Sequence, residues 1–160
     1  MRYKYDLIDN CILAKNTQTT MNAKNLKIGY AILRISIAII LLSHSILGMF
    51  DGGINDFGNF YLNKNGFAPF GVAIAWTIKL SHIVCAVLLI MNKYIRLAYF
   101  ATIFVLIMGI IMVHFKEGWF VVGGGRNGME YNFVLICVLT AIMFLNAHLN
   151  DTAQKSKTEK

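Results

Sequence analysis

Residues 69–91 read PFGVAIAWTIKLSHIVCAVLLIM, a mostly apolar run that contains only one charged side chain, Lys79. About 20 mostly apolar residues suffice for a helix to cross a bilayer. Three further stretches have this length, at about residues 28–48, 95–115 and 131–149. Backbone polar groups find no water in hydrocarbon, so segments of this kind must be helical. The pattern therefore predicts an all-α integral membrane protein, a four-helix antiparallel bundle joined by short connections.

The composition supports a membrane protein and excludes several other classes. Of the 160 residues 57% are hydrophobic and only 14% are charged, which is unlike a soluble domain of this size. Cys11, Cys85 and Cys137 are widely spaced and form no C-x-x-C pair, so neither a disulfide framework nor a structural zinc site is predicted. The apolar run of the first span is too long for a signal peptide, and no small-x-small cleavage pattern follows it.

The net charge of +7 reflects topology, because the basic residues are unevenly distributed about the spans. Ten of them fall on the side of the two termini: Arg2, Lys4, Lys15, Lys24, Lys27, Lys93, Arg96, Lys155, Lys157 and Lys160. Three fall on the other side: Lys64, Lys116 and Arg126. The positive-inside rule then places both termini in the cytoplasm. The expected partner of this charge is the lipid bilayer, and no nucleic acid is predicted.

The polar termini and the first long connection complete the predicted organisation. Residues 1–27 and 150–160 are polar, and we expect them to be disordered cytoplasmic tails. In the connection at residues 51–68, Phe57, Phe60 and Tyr61 recur at helical spacing. A short outer interfacial helix could lay these rings on the membrane surface. A lid packed over the mouth of the bundle would use the same residues, and both alternatives stay open.

Lys79 and His82 are polar groups that hydrocarbon does not readily accept. They lie on one face of the second span, three residues apart, with Ala75 and Ala86. An ionisable side chain near the midplane costs roughly 2.5 to 3.5 kcal/mol on insertion scales, so it is a candidate functional group. The alternative is that this small and polar face only holds helices together.

A second candidate cluster lies at the predicted outer ends of the spans. His44, His114 and Glu130 come from three different spans, and Arg126 is close in sequence to Glu130. Such groups could relay protons, because imidazole titrates near neutral pH. No ligand spacing within one helix supports a metal, and none is predicted. Asn127 and Glu130 also have the spacing of a capping box at the start of the fourth span, which would explain both without a catalytic role.

Gly123, Gly124 and Gly125 precede Arg126 and could hold an anion with backbone amides. They lack the residue order of a phosphate-binding loop, so a flexible turn between two helices is the competing interpretation. The sequence contains no Ser-His-Asp order, no paired catalytic carboxylates and no nucleotide fingerprint. Whether the protein is an enzyme is therefore left open.

The stretch from Arg34 to Phe144 resembles the DoxX family of small four-span bacterial membrane proteins. The resemblance rests on the turn ending in Arg96 and on VHFKEGWFVVGGGRNGMEYNF, where the residues matching the family's features are His114, Gly124, Gly128, Glu130 and Tyr131. Two positions depart from the family pattern. His44 is followed by Ser45, with Gly48 where the family often has lysine, and His82 stands where a glutamate is frequent.

The resemblance implies a bacterial inner-membrane location and a redox association, since some DoxX-like proteins look like membrane subunits of thiosulfate:quinone oxidoreductase and others are linked to thiol-based oxidative-stress complexes. The first hypothesis is thus a membrane component of a quinone- or thiol-linked redox system. Its candidate cofactor is a quinone, and its electrons would come from an oxidoreductase partner protein. The alternatives are a non-enzymatic membrane scaffold and a small-solute transporter, which would have to assemble as a homo-oligomer.

Overall fold

A computed structural model describes residues 2–121 and 127–158 of the chain. Five α-helices are described: α1 (Arg2–Phe50), α2 (Gly53–Asp56), α3 (Gly71–Met91), α4 (Ile95–Gly109) and α5 (Glu130–Thr158). A π-helix (Phe57–Leu62) and a 3-10 helix (Asn63–Asn65) follow α2. Helix α4 continues into a π-helix (Ile110–His114) and a 3-10 turn (Phe115–Glu117). The described residues contain no β-strand, so the all-α prediction is confirmed.

Four helical segments are long and apolar enough to cross a membrane, as the sequence predicts. They run Lys24–Phe50, Gly71–Met91, Ile95–Glu117 and Glu130–Asp151. Many of their large apolar side chains face outwards, for example Phe104 and Phe144, which are 65% and 67% exposed. In a bilayer such side chains contact acyl chains, so their exposure in the isolated chain is the expected counterpart of a membrane-spanning bundle.

The chain divides into two units, residues 1–32 and residues 33–160. In the first, α1 is already helical at Arg2, within the segment that the sequence indicates as a disordered tail. In the second, α5 continues to Thr158, beyond the expected end of the fourth span. Adding residues to an existing helix is far easier than nucleating a new one, so a polar tail can extend a spanning helix. Disorder of these tails stays a prediction.

Within the second unit, α3 packs against α4 and α4 packs against α5. Fully buried alanines, Ala86 and Ala98 among them, let the helix backbones approach closely. Two ends of this bundle are distinguished below. At the loop end, α1 ends and α3 and α5 begin. At the turn end, α3 passes into α4 through a tight turn in which Asn92 and Tyr94 have positive φ angles of 56° and 49°.

Residues 53–65 form a short helical segment over the loop end, called the lid segment below. Its Ile54 and Leu62 are buried against Ala75 of α3. Asn63 Oδ1 accepts a hydrogen bond from the Gly71 amide at 2.9 Å, and Trp76 Nε1 donates to Asn55 Oδ1 at 2.8 Å. The lid segment is therefore fastened to the first turns of α3 by apolar packing and by side-chain hydrogen bonds.

Two glycines allow the lid segment to approach α3 so closely. A Cβ added at Gly58 would lie 2.5 Å from the Val72 Cα, and one at Gly71 would lie 2.3 Å from the Gly58 carbonyl oxygen. Both contacts are with backbone atoms that cannot move aside as a side chain can. Only glycine fits at this crossing.

The aromatic side chains of the lid segment divide between two surfaces. Phe57 and Tyr61 stack with their ring centroids 5.3 Å apart and pack towards the bundle. The Tyr61 hydroxyl donates to the carbonyl of Met112, in the π-helical part of the third span. Phe60 points the other way and is 65% exposed. The expected short helix is present and packs as a lid, and contact of Phe60 with the membrane surface stays a prediction.

Candidate functional site

Lys79 connects the second span to the first. Its ammonium nitrogen donates a hydrogen bond to the backbone carbonyl of His44 at 3.1 Å. The side chain thus reaches from α3 to a turn of α1 near the loop end, with an intermediate exposure to solvent. A carbonyl oxygen has two lone pairs and can accept this bond in addition to its helical one. Lys79 therefore has a partner, but that partner is neutral.

His82 is the most deeply buried basic side chain that the structure describes. It is 4% exposed and lies eleven residues after Gly71, near the middle of the 21-residue helix α3. Its ring centroid is 6.2 Å from that of His44, and the two ring planes make an angle of 51°. The three basic residues that were predicted on separate grounds, His44, Lys79 and His82, are thus brought together between α1 and α3.

Neither ring nitrogen of His82 has a hydrogen-bond partner among the described residues. A neutral imidazole carries one N–H donor and one acceptor nitrogen, so both capacities are unused. Leaving a buried polar group unsatisfied costs about 1 to 3 kcal/mol. Groups of this kind are rare in native structures and commonly mark a site that a ligand or water completes.

Ser45 follows His44 on α1 and was not singled out from the sequence. It is fully buried, and its hydroxyl has no hydrogen-bond partner among the residues that the structure describes. Hydroxyls of membrane helices usually bond to a carbonyl of their own helix. Four others among the described residues do so, Ser43 to Ile39, Thr77 to Ala73, Ser81 to Ile78 and Thr140 to Ile136. The sequence does not distinguish Ser45 from these residues. Only the packed structure shows that its hydroxyl lacks such a bond.

His44, Lys79, His82 and Ser45 are called the basic cluster below. Three of its members are cations or potential cations, and none of the carboxylates that the structure describes is in hydrogen-bond contact with Lys79 or His82. In a medium of low dielectric constant, such a group of hydrogen-bond donors favours an electron-rich oxygen or an anion. The described residues contain no group of three His, Cys, Asp or Glu placed to hold a metal ion.

His114 lies at the end of the third span and holds the connection that follows. Its Nδ1 is 2.6 Å from the carbonyl oxygen of Asn127, a geometry in which Nδ1–H donates. The ring is also within electrostatic range of His44. His114 therefore links the loop that precedes α5 to the end of the third span, on the loop-end side of the basic cluster.

Glu130 is the first residue of α5. In a capping box its carboxylate would bind the backbone amide of Asn127, whereas in the structure it binds a segment that precedes Asn127. Glu130 Oε1 accepts a hydrogen bond from the Val121 amide at 2.8 Å, and the Glu130 amide donates to the Trp119 carbonyl at 3.0 Å. The helix begins two residues later than Gly128, where the capping box would start it. The reason is that residues 118–121 run beside residues 128–130 and supply backbone partners that a local pattern cannot reveal.

Gly128 makes this arrangement of the two segments possible. A Cβ at Gly128 would lie 2.5 Å from the carbonyl oxygens of Trp119 and Phe120. Gly123, Gly124, Gly125 and Arg126, the candidate anion cradle, lie outside the described residues. Of the predicted site residues, His44, Lys79 and His82 are therefore together, and His114 and Glu130 bind backbone groups of the connection before α5.

The DoxX family model matches residues 29–115, which is more than half of the 160 residues, and the chain belongs to this family. The match covers the first three spans, with the basic cluster and His114, and ends before Glu130. Neither a curated protein nor a solved structure matches the chain.

Proposed function

We propose that this DoxX-family chain is the membrane component of a quinone-linked redox system in the bacterial inner membrane, and that the basic cluster receives the quinone. The observation that carries the proposal is the pair of unpartnered nitrogens of His82, in a side chain only 4% exposed and near the middle of a membrane span. A ligand for such a site has to reach it from the lipid phase and has to offer hydrogen-bonding oxygens. Quinones have both properties.

The chemistry of the cluster suits a quinone in both redox states. A quinone carbonyl oxygen accepts hydrogen bonds, and the cluster offers an imidazole N–H, a serine hydroxyl and an ammonium group. On reduction the oxygen becomes electron-rich, and the Lys79 ammonium would stabilise the developing negative charge. Within the described part of the chain, no carboxylate bonded to Lys79 competes with the ligand for that charge.

Protons and electrons would arrive by different routes. Reduction of a quinone to a quinol takes up two electrons and two protons. His44 would pass the two protons to the quinone oxygens one after the other, and His114, within electrostatic range of His44, would reprotonate it from the loop end after each transfer. The sequence carries no haem or flavin motif, so an oxidoreductase partner protein that oxidises a sulfur or thiol substrate would supply both electrons.

Binding of a quinone to the full-length protein in lipid nanodiscs tests the proposal. Ubiquinone or menaquinone is titrated into the wild-type protein, into His82→Leu, and into His148→Leu as the matched control. His148 is exposed on α5, so its substitution removes one histidine from a place outside the cluster. We expect His82→Leu to weaken binding at least tenfold and His148→Leu to bind within about twofold of the wild type.

Two results would count against the proposal in different ways. Equal quinone binding by the wild type and His82→Leu would remove the basic cluster as the quinone site. Absence of quinone binding, combined with stable co-purification of a protein partner that survives Lys79→Met, would favour the scaffold alternative. In that case the cluster would be part of the helix packing, and its polar atoms would be satisfied by water or by the partner.

Both termini are proposed to lie in the cytoplasm, with the loop end facing outwards. The support is the excess of ten basic residues over three on the side of the termini. A cysteine introduced at Asn59, in the exposed part of the lid segment, should then react with a membrane-impermeant maleimide in intact cells. The same cysteine at Asn150, at the opposite end of the bundle, should react only after the cells are opened.

A further inference from the structure

A cleft at the turn end lies outside the basic cluster and has no role in the quinone proposal. Its volume is about 480 Å³, and it lies between the start of α4 and the last part of the fourth span. The polar residues that line it are Asn92, Tyr94, Arg96, Asn146 and Asn150. The remaining lining residues are Ile95 and Leu97.

The lining is rich in hydrogen-bond donors. Three asparagine side chains supply amide groups, Tyr94 supplies a phenol, and Arg96 supplies a guanidinium. None of the described residues that line the cleft is an aspartate or a glutamate. The planar fork of an arginine matches two oxygens of a phosphate, and such bonds are among the strongest that a neutral or cationic surface offers an anion.

The position of the cleft brings these donors to the boundary of the bilayer. It lies where α3 ends at Met91 and α4 begins at Ile95, so it is at the level at which two spans leave the hydrocarbon. Tyr94 and Leu97 are 78% and 65% exposed beside it, which leaves an apolar surface next to the polar lining. An amphipathic ligand could place a polar group in the cleft and its chains along Leu97.

We propose that this cleft binds a phosphate group, with Arg96 as its principal ligand and the asparagine amides as supporting donors. An anionic phospholipid of the leaflet at the turn end supplies such a group together with acyl chains that fit the adjoining surface. A soluble phosphate is the other source of the same chemistry. Basic pockets between membrane helices are known to favour anionic headgroups.

Native mass spectrometry of the intact protein tests this site. The protein is released from nanodiscs that contain equal amounts of phosphatidylglycerol and phosphatidylcholine, and retained lipids are counted. The variants are Arg96→Gln and, as a matched control, Lys93→Gln. Lys93 is an exposed cation three residues earlier that does not line the cleft. We expect Arg96→Gln to reduce retention of phosphatidylglycerol at least fivefold, and Lys93→Gln to change it less than twofold.

The two phosphate sources are separated by adding millimolar inorganic phosphate to the same samples. Retention of phosphatidylglycerol in its presence supports the lipid as ligand. Displacement of the lipid by phosphate in the wild type, with tight binding of phosphate that Arg96→Gln abolishes, supports a soluble phosphate in the same cleft. Equal losses in Arg96→Gln and Lys93→Gln would overturn the site, because they would indicate diffuse attraction between the basic surface and the membrane.

Asn150→Leu provides a second test should Arg96→Gln fail to fold. Asn150 lines the cleft and carries no charge, so its substitution alters the lining without altering the net charge. A reduction of phosphatidylglycerol retention by about threefold is expected. Unchanged retention in this variant would contradict the cleft as the binding site.

Discussion

The loop end and the middle of the bundle use their polar residues in opposite ways. At the loop end, polar side chains are bonded to backbone or side-chain groups, as in Tyr61 with Met112, His114 with Asn127 and Glu130 with Val121. In the middle of the bundle, His82 is buried with two ring nitrogens that have no partner in the described part of the chain. The loop end lies where the spans end, and an unpaired polar group costs least where water can reach it.

This inversion indicates which of the two regions serves structure and which is open to a ligand. Folding by itself favours hydrogen bonding of polar groups most strongly at the most deeply buried positions. An unsatisfied histidine in the middle of a span is therefore not accounted for by packing of the chain, whereas the pairs at the loop end are. Natural proteins depart from local rules of this kind mainly at functional sites.

The largest effect that we predict is on the loop end. Gly71→Ala should destabilise the protein by about 3 kcal/mol or more, because the added methyl group would meet the Gly58 carbonyl. Thermal unfolding in detergent measures the effect. Gly29→Ala is the matched control, since a Cβ there meets nothing within 4 Å. Equal unfolding temperatures for the two variants would show that the lid segment does not hold α3 in this close contact.

Glu130→Ala should destabilise the protein by about 2 kcal/mol, because it removes the acceptor of the Val121 amide. Glu130→Gln keeps an acceptor oxygen and should retain most of the stability in the same unfolding measurement. Quinone reduction then separates structure from proton transfer. A stable but inactive Glu130→Gln would assign a proton to this carboxylate, and a stable, active one would confine Glu130 to holding the connection before α5.

His82→Leu should stabilise the ligand-free protein by about 1 to 2 kcal/mol, because it replaces an unsatisfied polar group by an apolar one of similar size. The same variant should lose quinone binding, so stability and binding would change in opposite directions. Chemical denaturation of the ligand-free protein measures the first quantity, with His148→Leu alongside. A clear loss of stability in His82→Leu alone would mean that the imidazole already has a hydrogen-bond partner. The middle of the bundle would then not differ from the loop end in how its polar groups are bonded.

Tyr61→Phe should have the smallest effect, a loss of about 1 kcal/mol from the missing hydrogen bond to the Met112 carbonyl. The stack on Phe57 and the packing on the bundle are kept by the phenyl ring. Tyr131→Phe, at an exposed position, is the control and should be neutral. A loss several times larger in Tyr61→Phe, measured by thermal unfolding, would show that the hydroxyl organises the π-helical stretch as well as the lid segment.

The candidate site was predictable in part, and the limit has a physical cause. Lys79 and His82 stand out in the sequence because any ionisable residue in a long apolar helix does. Their pairing with His44 was not predicted, because His44 was grouped with His114 and Glu130 from its position near the end of a span. The axial stagger of α1 against α3 decides which residues share a level, and stagger depends on side-chain packing between helices rather than on the pattern within one helix.

The helical class, the number of spans and the approximate ends of each span follow from the amino-acid order alone. The reason is that hydrocarbon leaves the backbone no alternative to a helix, so apolar length is enough. The tertiary structure decided everything that depends on contacts between distant segments. These include the glycine crossing of the lid segment and α3, the bond from Glu130 to Val121 and the unpartnered nitrogens of His82. A hydrogen bond or its absence depends on which atoms are brought within about 3 Å, and only the packed bundle determines that.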